Sequence, residues 1–298
     1  MKHWKLGVLA VAFSGSLYAA PLPVVASFSI LGDVAGQIGG DRVKVQTIIG
    51  ADDDAHAYHM TAADVQKLRA SKLVLLNGLG LEKAEFKRAV VQNKIPFAEA
   101  AAGIAPLKAA DEHDHHHDGH DHDHGEFDPH VWNDPVRMFV YAANVADALT
   151  KADPEGKAYY QQRLAAYQGE LKKLHIDASR QFAAIPKAKR KVLTGHDSFG
   201  YMGKRYDIQF IAPQGVSTEA EPSAKQVAAI IRQIKREGVK AVFAENIKDD
   251  RMVQRIAQET GANVQGKLYS DALSKSGEGR TYLGMYRYNV RMMGEAMK

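Results

Sequence analysis

Short apolar runs alternate with amphipathic stretches along most of this chain, and this order restricts the fold more than any other feature. In the first half, strand-like runs lie at 24–30, 43–49 and 73–77, with helical stretches at 62–70 and 82–92. An order of strand, helix and strand requires crossover connections, which produce parallel sheets covered by helices. The first half therefore predicts an α/β unit built on a parallel sheet.

A long helical region occupies the middle of the chain. It begins at Asp134-Pro135, a pair favoured at helix starts, and a second helix begins near Asp153-Pro154 and continues until Pro186 stops it. Roughly thirty residues of helix span ~45 Å, a length suited to a rigid connection between two lobes. We therefore expect this second helix to be the backbone of the molecule.

The second half returns to the alternation of strands and helices. Its strand-like runs lie at 191–194, 209–212, 240–244 and 264–269, and its helical stretches lie at 223–237, 249–260 and 280–297. The sequence thus predicts an α/β fold of two lobes, each with a mostly parallel sheet flanked by helices, joined by a long rigid backbone helix. We assign residues 20–152 to the N-terminal lobe, 153–185 to the linking helix and 186–298 to the C-terminal lobe.

The N-terminus has the pattern of a secretory signal peptide over residues 1–19. Lys2 and Lys5 give a positive start, residues 6–13 are apolar apart from one glycine, and small residues precede Pro21. We place the cleavage site after Ala19. An N-terminal membrane anchor is the alternative, but the apolar stretch is well short of the ~20 residues that a bilayer requires.

The sequence contains no cysteine. We therefore expect no disulfide bond, no thiolate metal ligand and no lipid anchor on an N-terminal cysteine, because each of these requires a cysteine. We expect an exported protein without a lipid anchor, retained in the periplasm of a cell with two membranes. Any metal ligand in this chain has to be histidine, aspartate, glutamate or a backbone oxygen.

Residues 109–126 interrupt the α/β pattern with a run of histidine, aspartate, glutamate and glycine. Residues 111–128 contain eight acidic residues and no lysine or arginine. Such a segment is too polar to bury and predicts a disordered loop that binds divalent metal weakly. A solvated loop without a role is the alternative. Its seven histidines are His113, His115, His116, His117, His120, His122 and His124.

Four residues with metal-ligating side chains follow predicted strands or the polar loop. They are His56, His130, His196 and Asp271. In open parallel sheets, ligands bind beyond the carboxyl ends of the strands, so two residues from each lobe can surround one ion in the cleft. Three imidazoles and a carboxylate form a tetrahedral set suited to Zn²⁺. Each residue also has an ordinary alternative, as a surface or packed histidine or as a helix cap.

Four segments resemble the signature segments of the zinc/manganese solute-binding proteins of ABC transporters. They are GADDDAHAY at 50–58, DPHVWNDP at 128–135, HDSFGY at 196–201 and YSD at 269–271. They occur in the family's order over nearly the whole mature chain, with a histidine-rich loop before the second segment. The resemblance implies two α/β lobes, a backbone helix and an interlobe metal site.

Carried onto this chain, the resemblance implies that His56, His130, His196 and Asp271 are the metal ligands. The chain departs from the family pattern at Ala55, where proline is common, and at His59, where other members often have a different polar residue. By position we favour His56 as the ligand and interpret His59 as its neighbour.

Glu245 ends the run Phe243-Ala244-Glu245 and is a candidate partner for a ligand histidine. A metal-bound imidazole usually donates its second N–H to a carboxylate or carbonyl group. A helix cap or a surface acid is an equally acceptable interpretation of Glu245. His175 lies between leucine and isoleucine in a helical stretch, and we expect it to be structural.

The function implied by the resemblance is high-affinity capture of Zn²⁺ in the periplasm and delivery to an ABC transporter permease, without enzyme activity. Three histidines favour zinc over Mn²⁺, which prefers more oxygen ligands. We expect a monomer, with the permease as partner and a periplasmic metallochaperone as a candidate second partner. Lysine and arginine are scattered rather than striped, so no nucleic-acid partner is expected.

Three other functions remain open at this level. One is manganese transport by a protein of the same family, and another is the use of this fold as a surface adhesin. The third is a zinc-dependent hydrolase, which needs an open metal position and a nearby general base. Asp271 as a fourth ligand would close that position, and the sequence contains neither a His-Glu-x-x-His helix nor a nucleophile elbow.

Overall fold

The computed structural model describes residues 20–109 and 126–298, which form two α/β lobes. The first lobe contains a four-stranded parallel sheet in the order β2-β1-β3-β4. Its strands are β1 (Leu22–Phe28), β2 (Val43–Ile49), β3 (Leu73–Leu76) and β4 (Phe97–Glu99), and its helices are α1 (Ser29–Gly39), α2 (Ala62–Ala70) and α3 (Ala84–Gln92). The whole of β3 is buried, as expected for an inner strand of a parallel sheet that is covered on both faces.

A short antiparallel pair and two helices connect the lobes. The pair consists of β5 (Leu107–Lys108) and β6 (Phe127–Asp128), and the helices are α4 (Met138–Ala152) and α5 (Lys157–Ala183). With 27 residues, α5 is about 40 Å long. It packs against α1 and α4 in the first lobe.

The second lobe contains another four-stranded parallel sheet, in the order β10-β9-β7-β8. Its strands are β7 (Lys191–Leu193), β8 (Gln209–Ile211), β9 (Ala241–Glu245) and β10 (Val264–Leu268), and its helices are α6 (Gly200–Tyr206), α7 (Ala224–Glu237), α8 (Arg251–Thr260) and α9 (Tyr282–Ala296). Helix α5 also packs against α6 and α9 of this lobe. The predicted two-lobe α/β class and the long connecting helix are therefore confirmed.

One apolar core runs through both lobes along α5. It joins side chains of the first sheet, such as Val74, to buried residues of the second lobe, such as Phe243 and Tyr286. A separate, smaller core of nine residues lies beneath α7 and α8. The two lobes therefore share most of their packing, whereas α7 and α8 rest on a core of their own.

The first helix was not predicted from the sequence. The run at 24–30 was interpreted as one strand, but β1 ends at Phe28 and α1 begins at Ser29. Most of α1 is buried, so it lacks the polar face by which an amphipathic helix is recognised. A Cβ atom on Gly32 would meet Thr47 Cγ2 of β2 at 2.3 Å, which shows how closely α1 packs on the sheet.

Strands β4, β5 and β6 were also missed, because runs of two or three residues show no periodicity.

The predicted signal peptide and the predicted loop histidines at 113–124 lie outside the described residues. Within residues 20–109 and 126–298, none of the helices combines the length and the apolar character needed to cross a membrane.

Candidate metal centre

The four predicted ligands lie together between the lobes. His56 follows β2, His130 follows β6, His196 follows β7 and Asp271 follows β10. Their exposed fractions are 6%, 0%, 1% and 1%, respectively. One donor atom from each residue can be chosen so that all four atoms lie within 4.8 Å of one another. The structure thus brings the whole predicted set to one buried point.

The distances within this set match those around a tetrahedral metal ion. Nε2 of His56 lies 3.1 Å from Nε2 of His130. The Asp271 carboxylate lies 3.4 Å from Nε2 of His56, 3.4 Å from Nε2 of His130 and 3.0 Å from Nε2 of His196. Zinc bonds of about 2.0–2.1 Å in tetrahedral geometry place the donor atoms about 3.3 Å apart. The side chains are therefore already spaced for an ion of this size.

Three of the donor atoms lack an ordinary partner. Nε2 of His196 and both carboxylate oxygens of Asp271 are buried and make no hydrogen bond of normal geometry with any described residue. Buried polar atoms are nearly always paired, because an unpaired one costs free energy. A cation at the centre would pair all three, so the donor set fits a metal ion.

Glu245 holds the His196 ring in position. Its Oε2 lies 2.6 Å from Nδ1 of His196, and its Oε1 accepts the backbone N–H groups of Gly195 at 2.7 Å and His196 at 2.9 Å. Because Nδ1 is engaged by this carboxylate, Nε2 points to the centre of the site. This is the contact that a metal-bound histidine usually makes with a supporting carboxylate.

Asp128 supports His130 in the same way, and the sequence analysis assigned it no role. Its Oδ1 lies 2.7 Å from Nδ1 of His130 and accepts the His130 backbone N–H at 2.9 Å. An aspartate two residues before a ligand can fold back onto the following backbone and onto the ring. The spacing Asp-x-His was therefore the signal that would have identified it.

The carboxylates shift the pKa values of the predicted ligands. Burial lowers the pKa of His130, but the charges of Asp271 and Asp128 raise it more, to about 9. Burial likewise lowers the pKa of His196, and the charges of Glu245 and Asp271 raise it well above its usual value. Burial raises the pKa of Asp271, but the charges of His196 and His130 outweigh this effect and lower the pKa to well below its usual range. At neutral pH an incoming ion must therefore displace protons from these imidazoles.

The turn after His130 ties three ligand segments together without using the ligand atoms. Trp132 Nε1 donates to the backbone oxygen of Ser270 at 2.8 Å, beside Asp271. Asn133 Nδ2 donates to the backbone oxygen of Ser198 at 2.9 Å, close to His196. These bonds cross between the lobes, so the relative positions of the three ligands are set by buried contacts around them.

The other described histidines lie outside the site. His59 is exposed and contacts Lys83 and Glu85 at the surface. His175 lies on α5, with Nδ1 3.3 Å from the hydroxyl of Tyr206. These positions agree with the interpretation of His59 as a neighbour and of His175 as a structural residue.

Two α/β lobes joined by one long helix, with a buried donor set between them, define a metal-binding solute-binding protein. Over residues 24–296 the chain matches the family described as zinc-uptake complex component A, periplasmic, or ZnuA, and it belongs to that family. The family comprises substrate-binding proteins that work with the permeases of metal ABC transporters. The resemblance given by the four signature segments is therefore confirmed.

Relatives of the chain are named for metal transport in general or for manganese. It is 30% identical to the metal ABC transporter substrate-binding lipoprotein SloC of Streptococcus mutans, over 90% of this chain and 88% of that protein. It is 29% identical to the manganese ABC transporter substrate-binding lipoprotein PsaA of Streptococcus pneumoniae, over 93% and 89% of the two chains.

Solved structures with the same fold carry the names of both zinc and manganese. The periplasmic zinc-binding protein TroA of Treponema pallidum superposes with a TM-score of 0.85 at 27% identity, over 93% of this chain and 99% of that one. The manganese-bound periplasmic metal-binding protein of Candidatus Liberibacter asiaticus gives a TM-score of 0.81 at 25% identity, over 93% and 100%. The comparisons therefore establish metal binding for the family. They do not distinguish zinc from manganese, so the preference for one metal has to be inferred from the donor atoms.

Proposed function

We propose that this protein captures Zn²⁺ in the periplasm and delivers it to the permease of an ABC transporter. The observation that carries the proposal is the convergence of three imidazole nitrogens and one carboxylate at a buried point between the lobes. The ligands in this proposal are His56, His130, His196 and Asp271. Glu245 and Asp128 support two of the rings.

The donor set favours zinc over manganese. Zinc is bound well by four nitrogen and oxygen donors in tetrahedral geometry. Mn²⁺ is a harder ion that prefers oxygen, and it binds nitrogen-rich sites more weakly than zinc does. Only Asp271 provides oxygen in this set, whereas three donors are imidazole nitrogens. A manganese-selective site would need more carboxylate or water ligands at this point.

The same set argues against a zinc hydrolase. A catalytic zinc keeps a coordination position for water, with a general base beside it. Here four protein donors converge, and the most exposed of them, His56, is 6% exposed. Storage and transport of the ion require this closed arrangement, whereas hydrolysis requires substrate access.

Metal titration tests the proposal directly. We expect protein purified without chelator to bind one tight equivalent of Zn²⁺ and to bind Mn²⁺ roughly 100-fold or more weakly, since nitrogen-rich sites follow that order of affinity. Competition between the two ions, with a chelator of known affinity, measures the ratio. Equal or tighter binding of Mn²⁺ would identify a manganese transporter, and the absence of a tight equivalent would refute metal capture. Hydrolysis of an ester or peptide by the zinc-loaded protein would support the enzyme instead.

The periplasmic location and the monomeric state belong to the same proposal. The family description names the periplasm, and residues 1–19 have the composition of a signal peptide. Cleavage after Ala19 would leave Ala20 as the first residue, and the intact mass of the exported protein would show it. A periplasmic metallochaperone is a second proposed partner beside the permease.

We further propose that the histidine-rich segment collects zinc for the interlobe site. Residues 113–124 contain seven histidines and end six residues before His130. Fixing such a segment in one geometry costs about 1–2 kcal/mol per residue in backbone entropy. That cost disfavours a tight site within the segment but permits rapid, weak capture close to the cleft.

Deleting residues 113–124 should remove the additional weak zinc equivalents and retain the single tight one. It should also slow loading when zinc is scarce or is offered by a competing chelator. Isothermal titration gives the stoichiometry, and stopped-flow mixing gives the loading rate. A variant with all seven histidines replaced by asparagine keeps the segment length and is the matched control. Loss of the tight equivalent would place the main site in the segment, and unchanged loading would leave it without this role.

A further inference from the structure

One carboxylate connects the backbone of the first ligand to the opposite lobe. Oδ1 of Asp54 accepts the backbone N–H groups of His56 at 2.9 Å and Ala57 at 3.3 Å. Its Oδ2 accepts the hydroxyl of Thr218 at 2.6 Å. Asp54 lies in the loop after β2, and Thr218 lies in the second lobe between β8 and α7. The conformation of the His56 loop is therefore linked to a side chain that does not touch the metal site.

His56 depends on its backbone more than the other histidine ligands do. The rings of His130 and His196 are each held at Nδ1 by a carboxylate. In the part of the chain that the structure describes, no carboxylate contacts Nδ1 of His56. Its ring is therefore positioned mainly by the loop on which it lies, and Asp54 closes that loop.

Thr218 is itself a fixed point of the second lobe. It is 4% exposed. Its backbone oxygen accepts from Gln214 Nε2 at 3.4 Å and from Lys248 Nζ at 3.2 Å, while Gln214 Nε2 also donates to the backbone of Ala220 at 2.9 Å. Lys248 Nζ lies 3.1 Å from a carboxylate oxygen of Glu221. These contacts fix the segment 214–221 in the second lobe. The Thr218 hydroxyl therefore gives Asp54 a fixed hydrogen-bond partner in that lobe.

A second contact joins the same segment to the first lobe. Lys83 Nζ lies 2.7 Å from Oε1 of Glu219, at the protein surface. Solvent-exposed ion pairs contribute little to stability, because water and salt screen them. A buried hydroxyl donating to a carboxylate contributes more. Between these two contacts, the bond from Thr218 to Asp54 should therefore dominate.

From these contacts we infer that Thr218 is a positioning residue for the metal ligand His56. Through Asp54 it holds the first ligand loop over the ion and slows the departure of that ion. The inference rests on the proposed function, since it takes His56 to be a zinc ligand. The bond forms when the loop is closed, so its loss accelerates dissociation more than it slows association.

The Thr218→Val variant removes the hydroxyl with little change of shape. We expect the dissociation rate of Zn²⁺ from the loaded full-length protein to rise about 10- to 100-fold, the range for a hydrogen bond to a charged group. Stopped-flow mixing with excess chromogenic chelator measures this rate. Thr218→Ser keeps the hydroxyl and should stay close to the wild type. Lys83→Met should change the rate less than about threefold, as an exposed pair would.

A double-mutant cycle separates a specific role from general loosening. In an Asp54→Ala background, Thr218→Val should add little, because its partner is already gone. Additive effects, or equal acceleration by Thr218→Ser, would overturn the inference. Thermal unfolding of the metal-free proteins shows whether each variant folds, and if the valine variant does not, Asp54→Ala with Thr218→Ser completes the comparison. Failure of the proposed function would look different, because the wild type itself would then lack a tight zinc equivalent.

Discussion

We expect His196→Ala to weaken zinc binding by about 10²- to 10³-fold. Structural zinc sites with four protein ligands contribute about 10–16 kcal/mol, or roughly 2.5–4 kcal/mol per ligand. The loss cannot be repaired from nearby, because buried contacts fix the neighbouring segments, such as the bond from Trp132 to Ser270. His130→Ala should behave alike, since its ring is also fully buried and braced.

Chelator competition with Zn²⁺ measures this change, with thermal unfolding of the metal-free variants as a check on folding. His59→Ala is the matched control, because His59 lies three residues from His56 and outside the donor set. It should bind the tight equivalent as the wild type does. Wild-type affinity in His196→Ala, or a large loss in His59→Ala, would show that the ligand assignment is wrong.

The second large effect concerns pH. The apparent zinc affinity should decline from about pH 9 downward, and not only below the pKa of about 6.5 of an unperturbed histidine. Zinc binds neutral imidazole, and the neighbouring carboxylates keep His130 protonated up to about pH 9. His196 is shifted in the same direction. Displacing one to two protons per ion makes the affinity fall about 10- to 100-fold per pH unit.

The measurement is a series of chelator competitions between pH 6 and pH 10, corrected for the protonation of the chelator itself. Proton release on zinc binding, followed with a weakly buffered indicator dye, gives the number of protons independently. A constant affinity down to about pH 6.5, followed by a fall, would show that the histidines titrate normally and that the carboxylates do not retain their protons.

The same shifts give the metal-free protein the opposite dependence on pH. A histidine whose pKa is raised on folding stabilises the folded state, fully so below its unfolded value of about 6.5. For His130 that contribution is lost as the pH rises through about 9. The thermal stability of the metal-free protein should therefore fall over the same range in which zinc binding strengthens.

The sequence indicated much of the candidate site because each proposed ligand lies just beyond a strand or the polar loop and within a signature segment. The rule that ligands bind at the carboxyl ends of parallel strands was enough to place these residues on one side of each sheet. The supporting carboxylates were harder to recognise. Glu245 was found as a strand-end acid, whereas Asp128 was overlooked although it lies two residues before His130.

Other features depend on tertiary packing and had no local signal. Helix α1 is buried along most of its length, so it reads as a continuation of β1. The bond between Asp54 and Thr218 joins residues 164 positions apart in opposite lobes. Neither the residue types nor the neighbouring sequence predicts that these two side chains form a hydrogen bond. Contacts of this kind follow from how the lobes meet, which a single sequence does not specify.

The core that runs through both lobes has a consequence for recognition. Swinging the lobes apart would expose apolar surface that is now buried in the shared core, and each 100 Å² so exposed would cost about 2.5 kcal/mol. Loaded and empty forms should thus have almost the same outline, and small-angle scattering should barely distinguish them. A permease would therefore have to distinguish the loaded from the empty protein by the positions of the loops and by the charge at the mouth of the cleft.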